Sequence, residues 1–147
     1  MNILVINAGS SSLKYQLYNM KDEQVLAKGV VERIGFDSSI VAHKPIGGQE
    51  VKEVSEILDH TVAIQHVASL LASDEHGVID SLEEIDAVGH RVVHGGESFS
   101  ESVIVTEDVK AEIRRLFDLA PLHNPAHLKG IVAVEATMPN EIGRAHV

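Results

Sequence analysis

The sequence contains no cysteine, which excludes disulfides, thiolate nucleophiles and cysteine-based zinc sites together. It has no apolar run long enough to span a bilayer. Its first residues, Met1-Asn2-Ile3-Leu4-Val5-Ile6-Asn7, carry neither the basic n-region nor the apolar length of a secretory signal. Basic residues are few: 12 Lys and Arg stand against 22 Asp and Glu, a net charge of −10. The long-range field therefore repels nucleic acid and anionic lipid, and any phosphate must be met by a local site. There is no internal repeat and no low-complexity tract. These absences predict a cytoplasmic protein with no nucleic-acid or membrane partner.

What is present fits one domain. The 147 residues are 44% hydrophobic and 23% charged, enough apolar material for a core and too much for a disordered chain. Residues 2–8 (NILVINA) form a short β-branched run closed by Gly9 and three serines, the pattern of a buried strand ending in a turn. Leu13, Tyr15, Leu17 and Tyr18 nearly alternate with polar residues between Ser12 and Met20, and Val25 to Ile34 is a third extended segment. Together they predict an antiparallel meander. Gly35, Pro45, Gly47 and Gly48 break residues 35–56 into loops and two weak edge strands. Asp59 caps a predicted helix whose Ala63, Val67, Leu70 and Leu71 share a face, ending near Gly77. Residues 85–93 (IDAVGHRVV) read as a strand stopped by Gly95-Gly96. Thr106 opens a second helix with Val109, Ile113, Leu116 and Phe117 on one face, and Asn124-Pro125 opens a third.

Three segments could carry chemistry. In NAGSSSLK (7–14) a tight connection gathers a glycine, three hydroxyls and a lysine. Gly9 at positive φ would turn successive backbone N–H groups into one concavity suited to a phosphate oxygen, with Lys14 as a point charge. The same residues also suit an ordinary hairpin loop, and no Walker A pattern occurs in the chain. In GHRVVHGGE (89–97) a strand delivers Arg91 before a double glycine, placed to grip a carboxylate or phosphate bidentately, or simply to make a surface ion pair. His90 and His94 stand four apart, but on a strand and without the His-Glu-x-x-His pattern a structural role outweighs metal binding. In APLHNPAH (120–127) His123 precedes a helix N-terminus, whose field disfavours an imidazolium. It is either a neutral hydrogen-bond donor to a transferred group or a capping-region histidine without chemistry. The serines lie outside any G-x-S-x-G elbow, which weighs against a serine hydrolase built on Ser10 or Ser12 with His123.

Taken in order, NAGSSSLKYQL, AVGHRVVHGGE and LAPLHNP resemble the N-terminal domain of the acetate kinase family, within the superfamily of sugar kinases, heat-shock ATPases and actin. The resemblance covers residues 1–139. It implies an α/β, ribonuclease H-like (actin-like ATPase) domain with a mixed sheet, whose second domain is missing. It implies reversible transfer of the ATP γ-phosphoryl to acetate, giving acetyl phosphate and ADP with Mg²⁺, by a cytoplasmic enzyme whose full-length form is a homodimer. By the same resemblance Asn7 sits near the metal and phosphates, Ser10 and Ser12 line the phosphate loop, and Lys14 serves the nucleotide. Arg91 holds the acetate or acetyl phosphate oxygens and acts in catalysis, Val93 and Leu122 enclose the methyl group, and His123 stands beside the transferred phosphoryl.

The chain departs from the family in length. The family's catalytic aspartate, adenosine-binding loops and metal-binding glutamate come after the point where this sequence stops. Residues 140–147 (NEIGRAHV) fit neither strand nor motif, and 142–147 (IGRAHV) resemble a translated sequencing-library adaptor. The expectation is therefore an N-terminal domain over 1–140, a non-native tail over 141–147, and no turnover by the chain alone. A propionate or butyrate kinase is the near alternative, and a non-catalytic phosphate- or nucleotide-binding module the distant one.

Overall fold

The computed structural model describes residues 2–91, 103–104, 111, 124–137 and 142–146. The chain opens with β1 (Asn2–Ala8), β2 (Ser12–Asn19) and β3 (Gln24–Glu32), then β4 (Ser39–Pro45) and β5 (Val51–Ser55). These five strands pair antiparallel in sequence order, the predicted meander extended by its two edge strands. Helix α1 (His60–Leu71) and a 3₁₀ turn (Leu82–Glu84) lead into β6 (Ala87–Arg91). After β7 (Val103–Ile104) come helix α2 (Asn124–Thr137) and β8 (Ile142–His146). The described strands form one mixed sheet in the order β5-β4-β3-β2-β1-β6-β8-β7, with β6 parallel to β1 and β8 parallel to β6.

Alternation sorts the two faces of the antiparallel half. Leu4, Ile6 and Ala8 of β1, Leu13, Tyr15 and Leu17 of β2, Val31 of β3 and Val41 of β4 all turn inward and are buried. All but Ala8 meet Ala63, Ile64, Val67 and Leu71 of α1 in one core cluster. Each fully buried leucine contributes about 1.5–3 kcal/mol, so register is fixed by burial: a one-residue slip would expose the whole set. Helix α2 packs on α1 and β1. Its Gly130 faces Ala8, and a Cβ there would stand 2.9 Å from the Ala8 Cβ, so the missing side chain sets the close helix–strand approach.

Asp59 caps α1 as expected, its carboxylate accepting from Val62 N–H at 2.9 Å. The helix stops at Leu71, earlier than Gly77, because the chain folds back on its end. The Leu71 carbonyl accepts from Val78 N–H at 2.9 Å, and the Ser73 hydroxyl donates to the Leu70 carbonyl at 3.1 Å. The helix expected from Thr106 falls outside the described residues.

The segment expected to be irregular, Ile142–His146, is strand β8 instead. Gly, Arg, Ala and His have little strand preference, and an interior parallel strand ordinarily reads as an apolar run. Pairing decides the matter here: β8 lies in full register with β6 from Ala87↔Ile142 to Arg91↔His146, and its other edge takes β7. Tertiary context overrides local propensity in this segment.

Candidate functional site

The β1–β2 register opposes Asn7 to Lys14 and Ala8 to Leu13. Ala8 and Leu13 are buried in the core, so Asn7 and Lys14 stand side by side on the opposite face, with Ser12 on that face two residues before Lys14. The turn joining them is tied at three points. Gly9 N–H donates to the Ser12 carbonyl and Ile34 N–H to the Ser11 carbonyl, both at 2.9 Å. The third tie comes from α1, where His60 Nε2–H donates to the Gly9 carbonyl at 2.7 Å.

Gly9 serves the turn in a way other than the expected one. Among the described residues the glycines at positive φ are Gly35 and Gly47, so Gly9 does not adopt the left-handed conformation. A Cβ on Gly9 would lie 2.6 Å from Ser12 Oγ, so a side chain there would have to displace the Ser12 hydroxyl.

Asn7 and Lys14 open onto a concavity of about 610 Å³ that Gln16, Lys28, Lys44 and Glu50 also line. Gln16 pairs with Lys28 and Lys28 with Lys44 across three strands. Three ammonium groups against one carboxylate make this face locally cationic within a chain of net charge −10, the condition an anion site needs in such a chain. Lys28 and Lys44 carry no sequence signal, because only the strand pairing brings them beside Lys14. Ser10 lines a separate concavity of about 590 Å³ with Asp59, His60 and Thr61.

Strand β6 lies parallel to β1 with His90 beside Ile6, so Arg91 ends β6 at the register position next to Asn7. Ligands of open α/β sheets bind outside the carboxyl ends of parallel strands, which is where these two residues fall. His90 is 3% exposed, and burial pushes its pKa down to about 4, so it stands as a neutral core residue, in keeping with the structural reading. Among the described residues no cluster of three or more His, Asp or Glu side chains could hold a metal. Val93, His94, Leu122 and His123 lie outside the described residues. The fold thus gathers Asn7, Ser12 and Lys14, ties Ser10 into the turn beside them, and ends the Arg91 strand level with them.

Comparison with known proteins gives a consistent result. Residues 2–145 match the family model described as the Acetokinase family. Among curated proteins, the acetate kinase of Symbiobacterium thermophilum is 56% identical over 145 residues, covering 99% of this chain and 36% of that protein. That of Natranaerobius thermophilus is 54% identical over 139 residues, covering 95% of this chain and 35% of the other. Among solved structures, Porphyromonas gingivalis acetate kinase superposes with a TM-score of 0.95 at 46% identity, covering 99% of this chain and 36% of that one. A propionate kinase from Francisella tularensis gives 0.88 at 36% identity, with the same two coverages. The chain spans about a third of the length of the curated relatives it matches.

Proposed function

The chain belongs to the acetokinase family, and on that premise we propose that the whole protein transfers the γ-phosphoryl of ATP to acetate, giving acetyl phosphate and ADP reversibly. The domain is the ribonuclease H-like, actin-like ATPase type shared by its structural neighbours. The observation that carries the reading is the register: Asn7 against Lys14 on the cationic face, with Arg91 ending the adjacent parallel strand. Phosphoryl transfer asks for positioning and charge neutralisation more than covalent chemistry, and this arrangement supplies both.

In this reading Lys14 holds nucleotide phosphate oxygens as a point charge, and the Gly9–Ser12 turn offers N–H and hydroxyl donors beside it. Arg91 grips the acceptor carboxylate and, as a fixed cation, stabilises charge on the transferring group. Val93 and Leu122 bound the methyl pocket, and His123 donates a hydrogen bond to the phosphoryl. Asn7 lines the concavity, its carboxamide oxygen is a hard donor of the kind Mg²⁺ takes, and Mg²⁺ with a nucleotide usually needs only one or two protein ligands. Asn7 would hold the ion together with phosphate oxygens; when bound, Mg²⁺ neutralises phosphate charge.

The identities to the acetate kinases of Symbiobacterium thermophilum (56%) and Porphyromonas gingivalis (46%) exceed that to the propionate kinase (36%), which supports acetate as acceptor. The reading carries a cytoplasmic location, a homodimer for the complete protein, and no turnover by this chain alone, since closure of a second domain excludes water. Steady-state kinetics of the enzyme made from the complete reading frame test the assignments. Lys14→Ala is expected to raise KM for ATP, and Arg91→Ala to lower kcat/KM for acetate by about 10²–10³, the usual cost of one electrostatic donor. Equal, small effects on both substrates would remove the assignments.

A further inference from the structure

The tie between α1 and the β1–β2 turn is not explained by helix capping. Asp59 already caps the helix, and His60, the first helical residue, is only 5% exposed. Its Nε2–H reaches the Gly9 carbonyl, 51 residues away in sequence, at 2.7 Å. That carbonyl belongs to the Gly9–Ser10 peptide. In a planar trans peptide the carbonyl and the following N–H point in opposite directions, so fixing one fixes the other.

Helix α1 packs on the buried face of the sheet, whereas Asn7 and Lys14 line the concavity on the other. Drawing the Gly9 carbonyl toward α1 therefore turns the Ser10 N–H toward the side of Asn7 and Lys14. Among the described residues the backbone hydrogen bonds of the turn use Gly9 N–H and the Ser11 and Ser12 carbonyls, and no described backbone carbonyl takes Ser10 N–H. A flipped peptide would present a carbonyl oxygen there instead, and that dipole repels an anion.

We propose that His60 is a positioning residue for phosphate binding: by donating to the Gly9 carbonyl it locks the Gly9–Ser10 peptide with its N–H toward the nucleotide phosphates. The role rests on the proposed function above, because it presumes that the anion at this turn is the nucleotide's. His60 touches no reacting atom and acts through the peptide it holds.

The test uses the enzyme from the complete reading frame, with His60→Phe, which keeps ring bulk without a donor, and His60→Gln, whose amide nitrogen stands near the position of Nε2. The expected result for His60→Phe is a KM for ATP raised about tenfold, KM for acetate unchanged, and faster hydrogen exchange at the Ser10–Ser12 amides. His60→Gln should restore both. If His60→Phe does not fold, His60→Met, also without a donor, takes its place with the same expectations. A folded donor-less variant with ATP KM and turn exchange unchanged overturns the proposal, as does a His60→Gln enzyme equally impaired. Should the wild-type enzyme fail to phosphorylate acetate, the functional reading fails by itself, and the exchange rates of the turn still decide whether His60 holds it.

Discussion

Tyr15 donates its hydroxyl to Nδ1 of His43 at 2.5 Å, across the full width of β3. The two residues share one rung of the sheet, with Tyr15 opposite Gly29 and Gly29 opposite His43. The phenol crosses there because Gly29 has no side chain: a Cβ would collide with the Tyr15 hydroxyl and the Ala42 carbonyl. On its far side His43 Nε2–H donates to the His76 carbonyl at 2.9 Å. That bond fixes the tautomer, leaving Nδ1 as acceptor. Burial, with the Glu53 charge second, pushes the Tyr15 phenol up, so it remains a donor. Burial also holds the His43 imidazole below its ordinary range, hence neutral.

Breaking this chain of hydrogen bonds should cost stability. Tyr15→Phe leaves the buried Nδ1 without its partner, a loss of about 1–3 kcal/mol. Gly29→Ala overpacks the same rung, with a loss of similar size. Urea unfolding of each variant measures both. A double variant Tyr15→Phe with Gly29→Ala should lose less than the sum, since the two changes strike one contact.

The buried histidines predict a pH dependence of folding. His90 has a folded pKa of about 4, below the unfolded value of about 6.5, and His43 is shifted in the same direction. The unfolded chain therefore binds more protons in that window, and stability falls as pH drops. The contribution is fully present above about pH 6.5 and lost progressively toward pH 4, roughly 3 kcal/mol for His90. Denaturation midpoints between pH 7 and 4 should show the fall, and His90→Leu should flatten part of it. A wild-type profile flat across that range would contradict the burial argument.

Acceptor choice should respond to Val93. If it bounds the methyl pocket, Val93→Ala is expected to raise kcat/KM for propionate relative to acetate, by about 10-fold or more, because one methylene is worth about 1–3 kcal/mol in such a pocket. An unchanged ratio in the complete enzyme would place the methyl group elsewhere.

The reading frame near codon 141 can be checked directly. If residues 141–147 are non-native, the source DNA should continue past codon 140 with apolar strand residues where Gly143, Arg144 and His146 stand. A stop codon after Val147 in the source would overturn that expectation.

The fold was largely legible where burial on one face writes a period into the sequence. The alternation of Leu13, Tyr15 and Leu17, the run of β1, and the Asp59 cap with Ala63, Val67, Leu70 and Leu71 behind it all correspond to observed elements. The end of α1 was not, since it depends on the Val78 N–H returning to Leu71. Nor was β8, whose residues pair because β6 offers an edge, whatever their propensity.

The site divides along the same line. Asn7, the serines and Lys14 form one contiguous segment, so a local pattern exposes them. Lys28, Lys44 and His60 join them only through strand pairing and helix packing, and no spacing in the sequence brings them together. Even Gly9 sits against Ser12 Oγ without the positive φ expected of it.

Phosphoryl transfer to acetate is decided by one assay: acetyl phosphate formed from acetate, ATP and Mg²⁺, trapped with hydroxylamine, by two purified proteins. One is the product of the complete reading frame and the other the 147-residue chain. Acetyl phosphate and ADP are expected in equal amounts from the first and neither from the second. No acetyl phosphate from the complete protein, or equal turnover by the chain alone, would contradict the proposed function.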